Sequence, residues 1–124
     1  MTPSVATLRI EIDEPQTRCL TKSTGTIRGW FAAYDTEIPE EFQFQIGSRV
    51  VPHSMVKRED VEGAMPGYGI AGFVIRYELS SYLPYIDNSD LVMRLILPEY
   101  SPKTLRFTIT DGALADCLAA ASDV

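Results

Sequence analysis

Histidine occurs once in this 124-residue sequence, at position 53, and that single imidazole limits the chemistry available to the chain. A nucleophilic triad needs a base beside the nucleophile and an orienting group behind the base. Ser54 follows His53 directly and Asp60 is near in sequence, but adjacent strand residues point to opposite faces, so His53 and Ser54 are not placed to share a hydrogen bond. Cys19 and Cys117 are the only cysteines, near opposite ends and without a Cys-x-x-Cys pair. They are too few for a disulfide framework and, with one histidine, cannot complete a zinc site of the usual nitrogen and sulfur ligands. They read as buried free thiols, with a pairing between them left open.

Oxygen chemistry fares no better. Glycoside cleavage requires two acids facing each other at a fixed separation. Glu40, Glu41, Glu59, Asp60 and Glu62 are candidates that no spacing sets apart, so they read as solvated charge. Asp87-Asn88-Ser89-Asp90 gathers oxygens that a calcium ion would take, but it lacks the Asp-x-Asp-x-Asp-Gly spacing and the distal glutamate. An Asx-type turn joining two strands is the simpler reading. The glycines of Gly67-Tyr68-Gly69 and Gly72 feed a strand, with no helix or lysine to cradle a phosphate. The chain is therefore expected not to be an enzyme, with no catalytic residue, no metal and no cofactor.

The aromatic residues offer binding in place of reaction. Sugar rings stack on exposed Trp and Tyr, and Trp30, Tyr34, Tyr68, Tyr82 and Tyr85 fall off the core-facing pattern or in loops. They are the predicted ligand-binding residues. Tyr68, Tyr82 and Tyr85 are expected where loops at one end of a two-sheet domain converge. Packing is the competing reading for each, above all for Trp30 as a buried sandwich tryptophan.

The elements that must position these residues follow from a period of two. Leu8, Ile10 and Ile12 alternate with polar neighbours, as do Phe42, Phe44 and Ile46, and Leu105, Phe107 and Ile109. Phe73, Ile75, Tyr77 and Leu79 share a face, as do Leu91, Met93, Leu95 and Leu97. Ile27, Gly29, Phe31 and Ala33 form a further inward set, and a short strand is expected over 49–51, extending past Pro52. Turn residues punctuate the runs: Asp13-Glu14-Pro15, Thr24-Gly25, Gly47-Ser48, Pro66-Gly67, Asp87-Asn88 and Pro98 to Pro102. About seven short strands without helices between them predict an all-β antiparallel two-sheet β-sandwich over residues 1–112. Residues 113–124 read as either a short C-terminal helix capped by Asp111, with Leu114, Cys117, Leu118 and Ala121 at helical spacing, or a tail or linker.

Composition bounds the partners. The chain carries 17 acidic and 11 basic residues, a formal net charge of −6. Its long-range field repels a phosphate backbone, so nucleic acid is not an expected partner. The N-terminus shows no charged segment leading into a long apolar run, and no membrane-spanning stretch is present, which predicts a cytoplasmic protein without membrane insertion.

Three short motifs in order carry a resemblance. Gly25-Thr26-Ile27-Arg28-Gly29-Trp30 precedes a strand over 41–47, then Lys57-Arg58-Glu59-Asp60-Val61, then Gly72-Phe73 opening a long strand. Over residues 24–97 this resembles the small immunoglobulin-like accessory domains found beside bacterial glycosyltransferase and methyltransferase domains. The resemblance implies a structural clamp at Arg58 and Asp60, and a non-catalytic accessory or recognition module that binds glycan or docks a neighbouring glycosyltransferase-like domain or protein. The alternative is a structural spacer or oligomerisation domain that packs through an outer sheet face around Trp30, Tyr34, Val74 and Ile96.

Overall fold

The computed structural model describes residues 8–34, 42–97, 100 and 102–122, together with the backbone but not the side chains of Tyr34 and the last turn of the C-terminal helix. Glu40 and Glu41 lie outside the described residues. Ten strands are formed among them: β1 (Leu8–Glu14), β2 (Cys19–Leu20), β3 (Thr24–Tyr34), β4 (Gln43–Ile46), β5 (Arg49–Val51), β6 (Ser54–Val56), β7 (Tyr68–Glu78), β8 (Ile86–Asp87), β9 (Asp90–Ile96) and β10 (Lys103–Ile109). Two α-helices, α1 (Glu59–Ala64) and α2 (Asp111–Ser122), and a 3₁₀ segment at Leu79–Tyr85 are the other elements among the described residues.

The strands form two sheets. One runs β1-β3-β7-β6, and the other runs β2-β10-β9-β4-β5, with β8 added beside β9. Pairing is antiparallel except between β2 and β10, which run parallel. The Thr108 amide donates to the Arg18 carbonyl at 2.9 Å, and the Thr110 amide to the Leu20 carbonyl at 3.0 Å. The long β3–β7 ladder, from Thr24↔Glu78 to Tyr34↔Tyr68, is the spine of the four-stranded sheet.

The alternating residues meet between the sheets. Phe31, Phe73 and Ile75 from one sheet join Phe44, Leu95 and Phe107 from the other in a single core cluster, each at most 1% exposed. Edge-to-face and tilted rings knit the layers: Phe31 to Phe42 at 4.8 Å and Phe44 to Phe73 at 4.7 Å between centroids. Such geometry sets the positive ring edge against the negative face.

Turn chemistry fixes the register. Gly47 takes φ 59° in the first position of the two-residue β4–β5 loop, and Asn88 and Ser89 take φ 49° and 69° between β8 and β9. Left-handed residues at these positions match the twist of the paired strands, which ordinary turns would splay. Asp87-Asn88-Ser89-Asp90 is thus a tight hairpin turn.

Four features depart from the sequence reading. The chain does not extend β5 past Pro52; it leaves the five-strand row there and begins β6 in the other sheet. Strands β2, β6 and β8, two or three residues each, are too short to display a period, which raises seven to ten. Helix α1 forms between strands where no helix was expected. At the other end α2 forms, and Ala113 and Cys117, both 0% exposed, belong to the core. Its cap is Thr110, whose hydroxyl accepts from the Ala113 amide at 3.2 Å, in place of the expected Asp111. Among the described residues no helix is long and apolar enough to cross a membrane.

Candidate functional site

The three motifs come together on the outer face of the four-stranded sheet. Gly29 pairs with Phe73 and Trp30 with Gly72 across β3 and β7, while Val56 pairs with Gly72 from β6. A side chain at Gly72 would collide with the Arg58 stem and the Val56 carbonyl oxygen. Glycine therefore lets Arg58 lie flat across β7. From there its guanidinium donates to both Asp60 oxygens, at 3.0 and 2.9 Å, and its remaining nitrogen reaches Asp13 in β1. Hydrogen bonds to Asp60, and then to Asp13, hold Arg58 more firmly protonated than usual. The same bond to Arg58 lowers the Asp60 carboxyl below its ordinary value. The fork joins β1 to the start of α1 across the width of the sheet.

Helix α1 covers what the sheet would otherwise expose. Val61 packs on Trp30 and Ala32, with Met65 and Ile70 around them, in a second cluster separate from the core. Trp30 is 8% exposed, and the Arg9 guanidinium carbon sits 5.4 Å from its ring centroid. Trp30 is a buried tryptophan, but it is buried on the outer face beneath α1 and not between the sheets.

The predicted aromatic residues do not share one surface. Tyr68 opens β7 beside Tyr34 at the end of β3, whereas Tyr82 and Tyr85 lie past the far end of β7. An eleven-residue strand separates them, roughly 35 Å at the usual rise. Tyr68 is 37% exposed and Tyr82 only 7%. Tyr85 is half-buried against Gly47, and its hydroxyl lies 2.9 Å from the Ser48 hydroxyl. Convergence of Tyr68, Tyr82 and Tyr85 at one end fails because sequence shows loop position but not which end of a strand a loop leaves. The outer-face set around Trp30, Tyr34, Val74 and Ile96 also divides, since Ile96 belongs to the other sheet.

Beyond α1 the outer face lies open. Two adjoining hollows, of about 560 and 600 Å³, share Arg28, Val56 and Val74. Together they form a trough across the strands, from Asp13 and Glu14 at one end to His53 and Arg76 at the other. In register, Arg28 faces Val74, and Val74 faces Ser54 on β6. Sequence reasoning passed over Arg28 and Arg76 because each alternates singly with apolar residues; only the β3–β7 register makes them neighbours.

His53 closes the trough at the point where the chain changes sheet. Its ring stacks on Phe42 at 4.6 Å and meets Phe44 edge-on at 5.4 Å. Burial lowers its pKa, and a hydrogen bond to the Val51 backbone opposes that shift. Ser54 begins β6 beside it, facing solvent.

Among the described residues no three His, Cys, Asp or Glu side chains gather to hold a metal ion. Cys19 and Cys117 are both free thiols. No protein-family model matches this chain, and no curated protein is significantly similar to it.

Proposed function

We propose that this chain is a non-catalytic accessory or recognition module of immunoglobulin-like β-sandwich type, which docks a neighbouring glycosyltransferase-like domain or protein through the open half of its four-stranded sheet. Strand order supports the fold type. The row β1-β3-β7-β6 has the order expected of strands A-B-E-D in an immunoglobulin domain, and β10-β9-β4-β5 that expected of G-F-C-C′. Two hallmarks of antibody domains differ here: both cysteines are free thiols, and Phe44, not tryptophan, fills the inner face of β4.

One observation carries the docking reading: α1 covers Trp30 and Ala32 on the outer sheet face, and beside it lies an uncovered trough lined by apolar Val56 and Val74 and by arginines. An apolar strip rimmed by polar groups is a common form of protein contact surface. Dispersal of the tyrosines leaves glycan the weaker ligand. The spacer or oligomerisation reading draws support from Val50, Met55 and Val56, exposed by 55%, 57% and 40% along the β5–β6 edges.

Photo-cross-linking tests the proposal. A benzophenone amino acid in place of Val74 is expected to give a discrete adduct with another protein or domain, while one in place of Arg94, on the opposite sheet, gives none. Adducts between copies of this chain would favour oligomerisation instead. No adduct from position 74 would remove the docking reading.

A further inference from the structure

The two ends of the trough differ in charge. At one end the acids are already matched: Asp13 is held by Arg58, and Glu14 lies 3.6 Å from Arg28. Towards the other, Arg28, which both hollows share, is joined by Arg76, His53 and Ser54 around Val56 and Val74, and among the described residues no carboxylate lines the second hollow. Among the described residues Arg76 makes no ion pair and is exposed. Because Arg28 pairs with Val74, Arg28 and Arg76 are diagonal neighbours on one face, about 7–8 Å apart. Two like charges so placed repel each other unless an anion sits between them.

With Glu14 beside Arg28 as the one acid matched to the two arginines, this end holds a local excess of positive charge, against the field of a chain of net charge −6. Guanidinium forks match the planar geometry of a carboxylate, and the valine floor beside them suits an apolar neighbour in the same segment. The trough runs across β1, β3, β7 and β6, three strand spacings or about 14 Å. An extended chain fits that shape better than a compact ligand. A phosphate site would be expected to offer lysine, and among the described residues no lysine lines this hollow.

We propose that the Arg28–Arg76 end of the trough receives an acidic peptide segment, one carboxylate lying between the two guanidiniums and an adjacent apolar side chain resting on Val56 and Val74. The inference rests on the docking reading and names the chemistry of its partner.

Fluorescence anisotropy tests it with a labelled peptide of alternating Glu and Val, its Gln counterpart, and the variants Arg76→Glu and Arg28→Glu. Both positions are solvent-exposed, and unchanged Trp30 emission and melting temperature confirm that each variant folds. The Glu peptide is expected to bind, with at least about tenfold weaker binding for the Gln peptide and for either variant, and with weakening as salt rises. Equal binding of the Glu and Gln peptides, or indifference to Arg76→Glu, would overturn the proposal. So would inorganic phosphate displacing the peptide more effectively than sodium chloride at equal ionic strength. The two readings fail separately: a cross-linked partner from position 74 with no acidic segment keeps docking and removes this inference.

Discussion

Gly72 shows how one missing side chain organises an outer surface. Arg58 can cross β7 only because nothing projects there, and its fork to Asp60 and Asp13 depends on that crossing. Gly72→Ala is expected to destabilise the fold by about 1–3 kcal/mol as an overpacking change, because a backbone carbonyl is one of the atoms in the way. Urea denaturation checks it; a loss below about 0.5 kcal/mol would mean that Arg58 and β6 yield easily. His53 carries a pH dependence of opposite character. Its folded pKa lies below 6.5 because burial disfavours the charged ring, and Arg28 and Arg76 line the same hollow. The unfolded chain therefore binds the proton more readily, and stability falls as pH drops through 6.5 towards the folded value. Melting temperatures of wild type and His53→Gln, measured from pH 7.5 to 5, should diverge over that window. Parallel profiles would show that His53 does not supply the dependence. Asp60, lowered from 3.8, contributes only in more acidic solution.

Among the elements, α1 is small but decides what the four-stranded sheet shows to solvent. Its six residues bury one side chain, Val61, and that contact covers Trp30, the only tryptophan. Val61→Glu should lift the helix and shift tryptophan emission to the red, while the far-ultraviolet signal of the sheets persists because the core cluster lies on the other face. An unshifted emission maximum would mean that Trp30 is covered without α1. The long strands were legible in the sequence because each exposes one polar face and buries one apolar face, as Phe73, Ile75 and Tyr77 show. Helix α1 was not, since Glu59, Asp60 and Glu62 dominate it and Val61 and Ala64, its two apolar residues, give no helical period to detect. Arg58 and Asp60 stood out in the sequence, but Asp13, which completes their network from β1, could be found only once the strands were paired.

At the scale of the whole molecule, the same register argument separates what sequence reveals from what it conceals. Periodicity identified the inner faces of both sheets, so the core residues were readable one strand at a time. The trough was not, because Arg28 on β3, Val74 and Arg76 on β7 and Val56 on β6 become one surface only after three strands are set side by side. The tyrosines failed as a group for the related reason that loop position does not reveal which end of the domain a loop occupies. The parallel pairing of β2 with β10 has a mechanical consequence. Tension reaching β2 from its N-terminal side and β10 from its C-terminal side would slide these two strands past each other. Their flanking hydrogen bonds, Thr108 to Arg18 and Thr110 to Leu20, would then be strained together, whereas a hairpin pulled from its open end gives way one rung at a time. A ladder of only two residue pairs is thus oriented to resist stretching.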